Sequence, residues 1–135
     1  MNLGLFFTLY AISIPFFLII DLLWLGVVAK SFYRARLEGL MGDINWPAAV
    51  IFYLIFLLGL TWFALYPSAA RGTVYTAITL GALYGFFTYA TYDLTNLATL
   101  KGWPVSVVVA DIIWGTVLGA SVSAAVFLTY HHILS

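Results

Sequence analysis

The chain has 135 residues, 64% of them hydrophobic and only 7% charged, where a water-soluble domain carries about 25% charged residues. With a mean hydropathy of +1.09 and zero net charge, an ordinary soluble fold is excluded, and so is a basic patch for nucleic acid. The chain contains no cysteine, which removes disulfides, thiolate metal sites and cysteine nucleophiles together.

The first apolar segment runs from about Leu3 to Ala29 and is interrupted only by Pro15, which is expected to kink it, and Asp21. It has no basic leader and no small-residue cleavage site, and it is too long for a signal-peptide core. It is therefore expected to be a span, and residues 1–135 to form a single polytopic membrane domain. The link from Lys30 to Asn45 holds most of the charge. Within it Phe32, Tyr33, Leu37, Leu40 and Met41 share one helical face while Arg34, Arg36 and Glu38 fall elsewhere. That pattern predicts a helix over about 31–42 lying in the membrane interface.

The second apolar segment runs from about Trp46 to Tyr66, with Pro67 expected to stop it and a tight turn to follow through Gly72. The third runs from about Thr73 to Thr99. The turn Lys101-Gly102-Trp103-Pro104 leads to the fourth, from about Pro104 to Tyr130, with the proline suited to a first helical turn. Each segment reaches the roughly 20 residues a span needs, and so few spans cannot close a barrel. The expected fold is all-α, an integral membrane bundle of four transmembrane helices. It is expected to lie in the lipid bilayer and to form a homodimer that covers its small-residue faces.

Orientation follows from the basic residues. Lys30, Arg34, Arg36 and Lys101 lie in the first and third links, and only Arg71 lies on the other side. The positive-inside rule then places those links in the cytoplasm and both termini outside. Lys30, Arg34 and Arg36 are also placed to meet a lipid headgroup. The chain echoes itself as well. Asn45-Trp46-Pro47 and Gly102-Trp103-Pro104 open the second and fourth segments, and Asp21-Leu22-x-x-Leu25 matches Asp93-Leu94-x-x-Leu97. Two helical hairpins in tandem would account for both echoes.

Three aspartates, Asp21, Asp93 and Asp111, interrupt otherwise uncharged spans. A carboxylate at membrane depth is costly and marks a functional residue. Counted along the helices, they and Tyr53 share a layer about 10–13 Å below the cytoplasmic boundary at 1.5 Å per residue. Asp21 is expected nearest the rim. Each aspartate is followed three residues later by a donor, respectively Trp24, Asn96 and Trp114, with Tyr89 on the same face as Asp93. Gly81-x-x-x-Gly85 and Gly115-x-x-x-Gly119 allow close helix approach. Carboxylates brought within about 6 Å cannot all ionise in low dielectric, so at least one is expected to hold a proton. The adjacent His131 and His132 diverge by about 100° on a helix and do not suit one metal. With no lysine inside a span, no nucleotide loop and no haem ligand pair, no cofactor and no metal is expected.

Taken together, the run Tyr92-Asp93-Leu94-Thr95-Asn96-Leu97-Ala98-Thr99-Leu100, then Trp103-Pro104, then Asp111-Ile112-Ile113-Trp114-Gly115, resembles a family of bacterial predicted membrane proteins, domain of unknown function 2177. Asp21-Leu22-Leu23-Trp24-Leu25-Gly26 and Tyr33 resemble that family's first helix. The resemblance spans essentially the whole chain. It implies a four-helix protein of the bacterial inner membrane and brings no activity with it.

The chemistry of the residues leaves three functional readings. The first is an acidic intramembrane site, open towards the cytoplasmic half, that binds a proton, a cation or a small lipophilic ligand, as a transporter would. Its residues would be Asp21, Trp24, Tyr53, Tyr89, Asp93, Asn96, Asp111 and Trp114. In the second, an aspartate pair acts as general acid and base on a lipid or isoprenoid, with catalytic candidates Asp93, Asp111 and Asp21. In the third, the chain is a structural subunit of a larger assembly.

Overall fold

Asn2 starts the first helix by accepting a hydrogen bond from the Leu5 N–H at 3.0 Å, the usual work of an N-cap side chain. In the computed structural model, which describes all 135 residues, helix α1 covers Leu3–Leu23 and carries Pro15 in its interior. A π-helical stretch, Trp24–Val28, continues it to the buried Ala29, whose N–H closes on the Trp24 carbonyl at 2.7 Å. The short helix α2, Lys30–Leu37, follows. Asn45 then caps α3, Trp46–Leu60, by accepting from the Ala48 N–H at 3.1 Å.

Pro67 does not end the second apolar segment. A π-helical stretch, Thr61–Leu65, leads directly into α4, Tyr66–Arg71, so helical structure persists to Arg71. The wide turn restarts the helical register, and Pro67 falls in the first turn of α4, where its missing N–H costs nothing. The stop is Gly72, whose backbone is extended. At Thr73 the N–H donates to the Thr76 hydroxyl at 3.2 Å, opening α5, Val74–Thr99. Gly102, at φ +75°, takes the left-handed backbone that glycine accepts most easily. Then α6 covers Val105–Thr129 and runs on as a π-helical stretch to Leu134.

Three helical stretches are long and apolar enough to cross a membrane, Leu3–Val28, Trp46–Arg71 and Val105–Leu134. At 26 residues α5 matches them in length, but Thr88, Tyr89, Tyr92, Asp93 and Asn96 lower the hydropathy of its second half.

The helices alternate in direction. Phe6 packs against Trp62 and Phe17 against Tyr53, so α1 and α3 run antiparallel. The pairings of Gly81 with Gly119 and of Gly85 with Gly115 set α5 antiparallel to α6, backbone against backbone. A methyl group added at any of these four glycines would strike the facing helix or its side chains. Tyrosine hydroxyls tie the outer helices to α3: Tyr10 donates to the Leu54 carbonyl at 3.0 Å and Tyr84 to that of Phe56 at 2.9 Å.

The core is continuous at the end of the bundle that holds both termini. There Leu9, Leu60, Ala64, Leu65, Leu118, Val122 and Val126 are buried together. The buried hydroxyls of Ser13, Thr61 and Ser68 return to carbonyls of their own helices at 2.6–2.7 Å, while that of the equally buried Ser123 has no partner.

Candidate functional site

Where α1 ends and α6 begins, the helices spread apart. A cavity of about 470 Å³ opens between α1, α2, α3, α5 and α6. It lies at the end that carries the 30–45 and 100–104 links. The Arg36 guanidinium ties α2 to the first turn of α6 through its 3.0 Å bond to the Ser106 hydroxyl. Of the fifteen residues lining the cavity, twelve are hydrophobic, among them Phe52, Phe56, Trp103 and Trp114. Asp21 and Asp111 both reach it, as do Tyr33, Tyr53 and Tyr89, and no lysine, arginine or histidine does.

The carboxylates are satisfied across helices, not by the donors three residues on. Trp114 Nε1 on α6 donates to Asp21 Oδ1 on α1 at 3.2 Å. Tyr33 on α2 donates its hydroxyl to Asp111 Oδ1 on α6, and Trp24 Nε1 donates to the Tyr33 oxygen at 3.1 Å. Trp24 and Trp114 stack with ring centroids 4.5 Å apart and planes 7° apart. Each indole extends to the neighbouring helix, where stacking adds to its hydrogen bond. Burial, then the adjacent Asp111 carboxylate, pushes the Tyr33 phenol above its ordinary pKa. Tyr33 is thus a neutral donor at every working pH.

Asp21 is 4% exposed while Asp111 is half-buried, so Asp21 is the more enclosed of the two. Asp93 is fully buried and lies behind the cavity wall, beside the Asp111 carboxyl and the Trp103 indole. Neither Asp93 oxygen has a hydrogen-bond partner, and neither does Trp103 Nε1. Asn96 lies beside the Tyr92 hydroxyl instead of serving Asp93. Trp24 stands outside the lining, as the back of the stack. Lys30 and Arg34 are exposed, and Arg36 also sits over the Phe32 ring at 4.0 Å. The three aspartates do not converge as a metal-holding set.

Sequence spacing missed Tyr33, Leu37 and Met41, which form one wall of the cavity from α2 and the loop after it. One signal pointed to Tyr33: it is the polar-tipped member of the apolar face of that segment. Trp103, which reads in the sequence as an interface marker, also turns inward to the cavity.

Comparison with known proteins bears on the whole of this arrangement. No curated protein and no solved structure matches the chain. A family model described as a predicted membrane protein, domain of unknown function 2177, matches residues 6–128, a stretch that includes all three aspartates, the stacked tryptophans and every cavity-lining residue. The chain belongs to that family of predicted membrane proteins.

Proposed function

We propose that this protein is a multi-pass protein of the bacterial inner membrane that holds a small lipophilic ligand in an acid-lined cavity open to the cytoplasmic half of the bilayer. The cavity itself carries the proposal. Its volume of about 470 Å³ falls in the range of small-molecule sites, about 300–1,000 Å³. Its walls combine an apolar surface with a few convergent polar groups, the usual composition of such a site.

In this reading α5 is a fourth span. Its lower hydropathy comes largely from residues turned to the cavity or buried behind it, Thr88, Tyr89, Tyr92 and Asp93. Lys30, Arg34, Arg36 and Lys101 gather at the cavity end and favour the cytoplasm for it. The close aliphatic packing of the opposite end supports access from one side only, which suits binding better than conduction. One observation favours a second reading. Asp93 lies unpartnered behind Asp111, as a proton-sharing partner would in acid–base catalysis on a lipid or isoprenoid.

The test is complementation of a deletion phenotype with Ala49→Phe, which fills the cavity without touching a carboxylate, and with the Asp93→Asn, Asp111→Asn double variant. Monodisperse elution in detergent is the folding control. Ala49→Phe is expected to fold and to lose function. The double variant is expected to fold with losses within about 1–2 kcal/mol and also to lose function. Full complementation by both would leave a structural subunit as the reading that survives.

A further inference from the structure

We infer that the ligand class is a lipophilic monocation, an ammonium carried on an apolar or aromatic body; the inference rests on the cavity being a binding site. Each cavity carboxylate has one oxygen engaged, Asp21 Oδ1 by Trp114 and Asp111 Oδ1 by Tyr33. No cationic side chain reaches the cavity, so no positive charge of the protein offsets these carboxylates at membrane depth. A ligand that supplies one positive charge offsets that cost, whereas a neutral ligand leaves it in place.

The walls agree with the charge. Aromatic faces attract an ammonium, indole most strongly, and the cavity offers Trp114, Trp103, Phe52, Phe56, Tyr53 and Tyr89. The Trp24–Trp114 stack fixes one of those faces beside Asp21. A bare inorganic cation fits poorly. Hard cations take several oxygen ligands at once, but the aspartates do not gather round a common point and most of the lining is apolar. An anionic lipid headgroup would be repelled by two carboxylates. A charged amine on an apolar body matches both the acidic floor and the aromatic walls.

The experiment compares 2-(2-naphthyl)ethylamine with 2-(2-naphthyl)ethanol, which share a body and differ in charge. Each is titrated into the full chain in zwitterionic nanodiscs, with tryptophan fluorescence as the readout and empty discs as baseline. The amine is expected to bind about tenfold or more tightly than the alcohol. That preference should collapse in Asp21→Asn, Asp111→Asn, while Ala49→Phe should lose both ligands. Equal binding of amine and alcohol to the unaltered chain would overturn the cationic class and leave the cavity reading intact. Saturable binding of neither ligand would overturn both. Because the decisive comparison is made on the unaltered chain, poor folding of a variant cannot rescue the proposal.

Discussion

The two ends of the bundle draw on different residues and pack in opposite ways. At the end that holds the termini, aliphatic side chains interlock, and the buried Ser13, Thr61 and Ser68 bond back to their own helices. At the other end aromatic side chains hold the helices apart around a cavity, and Asp21 and Asp111 depend on donors from different helices. A leucine or valine gives all its surface to packing. A ring joined to a polar tip packs only where the tip finds a partner, so rings gathered round carboxylates leave space between them.

The most damaging way to break this contrast is at the glycines that bring α5 and α6 together. A side chain at Gly85 would run into the Gly115 carbonyl, and backbone cannot move aside as a flexible side chain can. Gly85→Leu should cost about 3 kcal/mol or more, at or beyond the top of the range for overpacking. Thermal unfolding followed by circular dichroism in detergent would measure it, and an unchanged midpoint would refute the backbone contact.

A smaller effect sharpens the comparison by using one substitution at each end. Leu118 is fully buried in the closed end, and Phe52 is 52% exposed at the cavity. Leu118→Ala should cost about 2–4 kcal/mol through the void it leaves. Phe52→Ala, although it deletes more atoms, should cost under about 1 kcal/mol, because its neighbours already face empty space. Equal losses in chemical denaturation would mean that the two ends are packed alike.

Tyr33 is expected to fall between Leu118 and Phe52. Tyr33→Phe removes the donor to Asp111 and the acceptor for Trp24, and should cost about 1–2 kcal/mol. The Trp24 indole, left without its acceptor, should also shift its fluorescence emission. An unshifted spectrum would show that the chain of bonds from Trp24 to Asp111 does not hold.

What the sequence by itself determined was local. The apolar runs and their flanking Asn2, Asn45, Gly72 and Gly102 mark where helices begin and end, because capping and turn chemistry depend on a few adjacent residues. The spacing of Gly81, Gly85, Gly115 and Gly119 likewise marks the faces that meet. The three aspartates could be singled out because a charge in an apolar run stands out whatever surrounds it. Only the tertiary structure decided which groups they meet. That Trp114 serves Asp21, that Tyr33 serves Asp111, and that Asp93 lies unpartnered behind the cavity wall all depend on which helices become neighbours and how each is rotated. Even the passage of the helix through Pro67 depends on a wide turn that starts six residues earlier. Spacing along one helix cannot encode these pairings, because a long side chain in lipid takes its partner from whichever helix stands opposite.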